Sequence, residues 1–347
     1  MSEKHQIPRY SQAVRSFYTA RPEANLGAEN RNLFLRVPLS RHTPIPGTLN
    51  LIIAAVQLML LLSLLLLTAF AGNLWQVGAL ALGYGILMNS GYAMLHEAEH
   101  NLLHRNKRIN DAVGVLLALF FPAPFHLLRQ GHIGHHMRNR SDDEAFDFYF
   151  EGENKVWKYL QLYGILTGLF WCVIVTSNLL AVVYPKMLTA SSAKKTRFDR
   201  PTEALVETLN PKFLPYIRLE AAAVILLHGS ILYFMNISIV YYACVLFGFG
   251  FLWSALQYVH HFGTNRDVQN GALNLKTFRW LDLIWLNHNW HLRHHQEPTV
   301  PWVYLPHLGQ GSFEKRGSVL NAYLAMWKGP RKTKKRVKNR YAGKIIR

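Results

Sequence analysis

The chain has 347 residues, half of them hydrophobic, with a formal net charge of +18 and only two cysteines, Cys172 and Cys244. Two cysteines exclude a disulfide framework and a cysteine-held zinc or iron-sulfur centre, so any metal must be bound through nitrogen and oxygen. The Lys and Arg lie between and after long apolar runs, a distribution that fits cations beside anionic lipid better than a nucleic-acid surface, and no nucleic acid is expected.

Residues 1–47 are polar and charged, with scattered Pro, and read as a soluble N-terminal arm. A short interfacial helix is expected over Tyr10–Tyr18, and no cleaved signal peptide is expected because no short apolar segment follows a basic start. Thr48–Ala71 and Trp75–Leu95 are apolar runs, each long enough to cross a hydrocarbon core of about 30 Å. Arg31, Arg36 and Arg41 precede this pair and Arg105, Lys107 and Arg108 follow it, which places both ends of the hairpin in the cytoplasm. Asp111–Phe125 is apolar but carries Pro122 and Pro124, so it reads as interfacial or re-entrant. Tyr159–Tyr184 is softened by Gly164, Gly168 and Ser177-Asn178 and is followed by a basic stretch. It is expected to be re-entrant or to lie along the interface, a full span being the alternative. Ala221–Val259 accommodates two spans of about 19 residues with a turn near Asn236. After Pro298, Pro301 and Pro306 comes a polybasic end, Lys328–Arg347, expected to be a solvated, disordered tail touching acidic lipid.

These elements predict an all-α integral membrane protein with about four transmembrane helices in two hairpins, plus interfacial or re-entrant helices. The expected division is an arm over 1–47, a membrane catalytic domain over 48–306 and a C-terminal segment over 307–347. The expected site is an inner or plasma membrane with the histidine-rich cap facing the cytoplasm.

Three histidine boxes stand at the cytoplasmic ends of these runs: His96-Glu97-Ala98-Glu99-His100, His132-Ile133-Gly134-His135-His136 and His291-Leu292-Arg293-His294-His295. Residues three and four apart share one helical face, so each box can aim its imidazoles at a common point. With 17 His in 347 residues, chance supplies about 0.04 H-x-x-H-H matches, and two occur. The last box is expected on a helix spanning Leu286–Glu297. His42, His126 and His228 stand alone and read as ordinary hydrogen-bonded residues. Eight box histidines exceed the need of one tetrahedral zinc and favour two metals, with His261 a further candidate.

This set of boxes on a chain of paired apolar runs resembles the membrane fatty acid desaturase and hydroxylase superfamily, over about Thr48–Pro306. The resemblance implies two iron ions held by His96, His100, His132, His135, His136, His261, His291, His294 and His295, with O2 as co-substrate. It also implies oxidation of an aliphatic chain, with a fatty acid or fatty acyl group as substrate and desaturation foremost. Gln257-Tyr258-Val259-His260-His261-Phe262-Gly263 is similar to a stretch of membrane alkane hydroxylases and favours His261 over His260. The two-residue spacing between His132 and His135 follows desaturases. Hydroxylation, and decarboxylation of a free fatty acid to a terminal alkene, are the alternatives within the superfamily, and for the latter Arg129, Arg138, Arg140 and Arg293 are candidate carboxylate partners.

His104 and His288 lie on extrapolated helical faces of their boxes and, with His260, are further candidates to bind or orient a metal. Asp142, Asp143, Glu97 and Glu99 are candidate acceptors for the outer nitrogens of the imidazoles. His96-Glu97-Ala98-Glu99-His100 also satisfies H-E-x-x-H, the pattern of a zinc metalloprotease with Glu97 as general base, although this leaves both H-x-x-H-H boxes unexplained. A His-rich transporter or metal-handling protein is a third class. The chain carries neither a cysteine cluster nor a G-x-G-x-x-G fingerprint, so electrons are expected from an external donor such as ferredoxin with its reductase, docked on a basic face beside membrane lipid.

Overall fold

A computed structural model describes residues 43–189, 200–309, 316–342 and 344–346. The expected helix over Tyr10–Tyr18 lies outside the described residues. The first apolar run forms α1, Gly47–Leu67, extended by a 3-10 turn over Thr68–Phe70. Asn73, whose side chain accepts the Gln76 N–H, starts α2, Leu74–Glu99. Two short helices follow, α3 (Lys107–Phe120) and α4 (Phe125–Arg138), bent by 99° at the Pro122 and Pro124 segment.

A short strand, β1 (Phe148–Tyr149), leads to α5 (Lys155–Leu166) and α6 (Leu169–Val183). These two helices divide the third apolar run and meet at 87°. Gly168 makes that corner with φ +92°, and a Cβ there would meet the Phe247 ring at 2.8 Å, so both the backbone angle and the space demand glycine. An amphipathic helix, α7 (Arg200–Thr208), precedes the second hairpin, α8 (Leu214–Phe234) and α9 (Ile239–Val259), which turns at Asn236 with φ +49°.

Among the described residues, three helical segments are long and apolar enough to cross a membrane: Gly47–Phe70, Pro211–Phe234 and Ile239–Val259. Each bent pair would add one more if it formed a single span. The second expected span, α2, is 26 residues long but less apolar, because its C-terminal half is buried and carries Asn89, Ser90, His96, Glu97 and Glu99. The middle of α2 packs on α9, where Gly85 and Gly248 let the backbones touch: a Cβ on Gly248 would stand 2.3 Å from the Ala81 carbonyl oxygen. Buried aromatics Tyr84, Phe121, Phe125 and Phe249 fill the core between the helices.

After α9 the chain continues in short elements: β2 (Leu275–Lys276), α10 (Arg279–Ile284), α11 (His291–Gln296), α12 (Leu305–Gly309), β3 (Gly317–Ser318), α13 (Val319–Met326) and β4 (Arg331–Lys332). Two parallel pairings tie these elements together and to β1, Leu275 opposite Gly317 and Phe148 opposite Arg331. The polybasic end differs from the expected disordered tail, for its described residues form a strap across β1, the loop before it and α7. Arg331 N–H donates to the Asp147 carbonyl, the Val337 N–H donates to the Asp142 carboxylate, and Ile346 is buried with its N–H on the Thr208 carbonyl. Aromatic faces explain how a cationic chain packs there: Arg336 lies 3.5 Å from the Phe150 ring centroid. Its charged side chains Lys332, Lys334, Lys335, Lys338 and Arg340 remain exposed.

Candidate metal centre

Three helix termini and one helix exit bring the histidines together. His96 is in the last turn of α2 and His100 caps it; His132, His135 and His136 are on α4; His261 follows α9; His291, His294 and His295 make up half of α11. The one-residue offset within each H-x-x-H-H box decides the partition. His136 and His294 face one point and His135 and His295 another, because adjacent residues on a helix are about 100° apart. One group contains His96, His100, His132, His136 and His294, and the other contains His135, His261, His291 and His295. Within each, one ligand nitrogen per residue lies within 4.8 Å of all the others.

The nitrogens converge closely. His132 Nε2 is 2.8 Å from His100 Nε2 and 3.0 Å from His136 Nε2, His294 Nε2 is 2.9 Å from His136 Nε2, and His261 Nε2 is 3.1 Å from His291 Nε2. His96 Nε2 and His295 Nε2 are buried without a hydrogen-bond partner. A buried orphan nitrogen costs about 1–3 kcal/mol, and a cation at the convergence point removes that cost. Burial first, then the neighbouring imidazoles, push the His294 and His295 rings well below the usual histidine range, so both are neutral and able to donate a lone pair. The donor set therefore fits two nitrogen-ligated metal ions.

Groups outside the two sets orient the rings. His261 Nδ1–H donates to the Gly271 carbonyl at 2.8 Å and His135 Nδ1–H donates to Glu144 Oε2 at 2.7 Å, which leaves each Nε2 lone pair free to face the centre. Burial alone would raise the Glu144 carboxyl, but Arg138, with Nε 2.5 Å from Oε1, and His135 outweigh it and hold the carboxyl below the usual range. Behind His261, the fully buried Arg140 binds both Asp147 oxygens, the Tyr258 hydroxyl and the Thr264 carbonyl.

Other candidates sit elsewhere. The helix expected over Leu286–Glu297 begins only at His291, because Leu286 and Asn287 have positive φ. His288 is thus in a turn, and its ring centroid is 4.8 Å from that of His96, beside the two groups rather than in them. His260 pairs through Nε2 with Asn289 Oδ1 at 3.2 Å. His104 lies beyond the end of α2, where Asn101 turns the chain with φ +59°, and its Nδ1 accepts the Asn106 N–H. Asp142 binds Arg266, Asp143 binds Asn339, and Glu97 accepts the Trp302 N–H at 3.1 Å, partners other than an imidazole among the described residues. Glu99 comes nearest, 3.9 Å from His132 Nδ1. Sequence reasoning passed over Glu144 in favour of its acidic neighbours; its position nine residues after His135, outside any helical register, left no periodic signal.

Comparison with known protein families matches residues 73–326 to the fatty acid desaturase family. The chain belongs to that family. The match encloses all nine converging histidines, and no curated protein matches the chain. As a fatty acid desaturase family member with several long apolar helices, the protein is a membrane oxidoreductase, and the family implies a fatty acyl substrate. On the core side of the histidine cluster stand aromatic rings: Tyr92 is 5.9 Å from His288 and 5.5 Å from Trp253, and Phe121 is 4.8 Å from Trp253.

Proposed function

We propose that this protein is an O2-dependent fatty acyl desaturase with a di-iron centre. The observation that carries the reading is the division of nine imidazoles into two adjacent groups, five nitrogens and four. In this reading His96, His100, His132, His136 and His294 hold one iron and His135, His261, His291 and His295 the other. Bound there, the irons supply O2 activation and the oxidising power to remove hydrogen from an unactivated C–H bond. The chain's own residues prepare the site: Glu144 and the Gly271 carbonyl fix ring tautomers, and Tyr92, Phe121 and Trp253 exclude water from the core side.

The division of the chain into an arm over 1–47, a catalytic domain over 48–306 and a C-terminal segment over 307–347 belongs to the same proposal. So do the cytoplasmic orientation of the centre and a one-electron donor of the ferredoxin type. The exposed cations of the strap are the surface that an acidic carrier would meet.

The competing readings find less support. A zinc protease needs Glu97 as general base, but that carboxylate is engaged by Trp302. The free-acid decarboxylase reading needs a cation for the carboxylate, yet Arg129 pairs with Asp111, Arg138 with Glu144 and Arg140 with Asp147, while Arg293 binds Gln296. Gas chromatography with mass spectrometry of lipids and headspace, comparing a bacterial host expressing the chain with one expressing His291→Ala, tests the proposal. New double bonds in the acyl pool are expected only with the unaltered chain. Oxygenated chains or a volatile alkene one carbon shorter would replace desaturation by hydroxylation or decarboxylation.

A further inference from the structure

The stretch 277–285, between β2 and the last histidine box, carries four large apolar side chains without protein cover: Phe278, Trp280, Leu283 and Ile284 are 72%, 57%, 61% and 41% exposed. Phe278 and Trp280 stack on each other, 6.1 Å apart and nearly parallel. In a water-facing cap such a cluster would be costly, since each such side chain gives up about 1.5–3 kcal/mol of transfer free energy by remaining in water.

Two hydrogen bonds measure how deep this stretch lies. The Ile284 carbonyl accepts from Ser90 Oγ, which in turn accepts from Gln57 Nε2 at 2.8 Å. Gln57 is ten residues inside the Gly47–Phe70 segment, about 15 Å along its axis at 1.5 Å per residue. Independently, the Trp285 indole N–H donates to the Ile86 carbonyl at 3.1 Å, and Ile86 precedes His96 by ten residues, again about 15 Å of helix. Both rulers put the tip of this stretch near the middle of a hydrocarbon core of about 30 Å. Leu82, one turn before Ile86 on α2, is exposed as well, so the apolar surface continues onto the neighbouring helix.

The polar chemistry of the stretch agrees with that depth. A segment in lipid must satisfy its backbone internally, and the N–H groups of Leu281, Asp282, Trp285, Leu286, Asn287 and His288 all donate to carbonyls within 278–285. Its one acid, Asp282, is buried and accepts from Thr277 N, Thr277 Oγ1, Asn289 Nδ2 and Arg316, which keeps the charge from lipid. Lys276 and Arg279 are exposed at its start, where long stems let their heads reach the headgroups.

We infer that Phe278–Ile284 is a membrane-immersed wedge whose partner is the acyl-chain region of the bilayer. Through Asp282, Asn289 and His260 the wedge is tied to the ring of His291, 4.8 Å from that of His260. Lipid contact at the wedge and the histidine cluster are therefore parts of one connected unit.

Nitroxide depth measurements on the full chain test the inference. The protein carries Cys172→Ala and Cys244→Ala and is placed in nanodiscs of phosphatidylcholine and phosphatidylglycerol. A spin label at Leu283→Cys is compared with one at Leu60→Cys, an exposed site on α1, and one at Lys338→Cys on the strap. The expected result is that O2 relaxes the label at 283 several-fold more than an aqueous nickel chelate does, as at 60. A label at 283 that responds like the one at 338, or one that reports headgroup depth, overturns immersion. Trp280→Cys is read in the same way, so that distortion at a single site cannot decide the result.

Discussion

The roles of individual side chains follow from which atom each one offers. His294 points its Nε2 into the five-nitrogen group, whereas His104 has left the helical face and is engaged with the Asn106 backbone. Metal analysis of purified protein should therefore show loss of bound iron in His294→Ala and full retention in His104→Ala. Glu144 acts through His135. Replacement by Gln removes the carboxylate that fixes the ring, and iron affinity should fall about 10–100-fold, read by competition with a chelator. The same carboxyl is held below its usual range when the chain is folded. Its contribution to stability is thus present above the ordinary carboxylate pKa and is lost as pH falls through the lowered folded value. Thermal unfolding across that acidic window should show a shallower pH dependence in Glu144→Gln than in the unaltered chain.

Helices and their breaks decide where those side chains arrive. The third apolar run is long enough in sequence to cross a membrane, and Gly168 turns it into two helices at 87°. Gly168→Ala would force a Cβ into a left-handed backbone and into the Phe247 ring, so destabilisation of about 1–3 kcal/mol is expected. Scanning calorimetry in detergent would register it as a lowered melting temperature, and an unchanged value would mean that the corner is not essential. The last box shows the opposite economy. Its helix has only six residues, too short to persist alone, and its position depends on Asn287 and Leu286 turning the chain immediately before it.

Considered as a whole, the molecule brings nine imidazoles into one largely buried cluster in which several Nε2 atoms approach within about 3 Å of one another, an arrangement that a bound cation stabilises. Removing metal with a chelator should lower the melting temperature, and adding ferrous iron should restore it with two irons per chain. One zinc per chain, with no response to iron, would return the protein to the single-metal readings. The strap adds to the same unit: it joins β1 and the adjoining loop of Asp142 and Asp147 to α7, which lies much later in the chain.

Much of this was open to reading in one dimension. Spacing alone marked His132, His135 and His136, and His291, His294 and His295, as candidate ligands, although the single common point expected of each box is two points in the structure, and apolar run lengths marked the candidate spans of the first run and of the second hairpin. What periodicity cannot express is long-range contact and the fate of a chain beyond a helix end. The meeting of histidines from different boxes in two groups, the choice of Glu144 over Asp142 and Asp143, and the packing of a cationic tail onto Phe148 and Phe150 depend on tertiary contacts. The wedge depends on the same kind of contact, because only the bonds from Ser90 to Ile284 and from Trp285 to Ile86 tell how deep it lies.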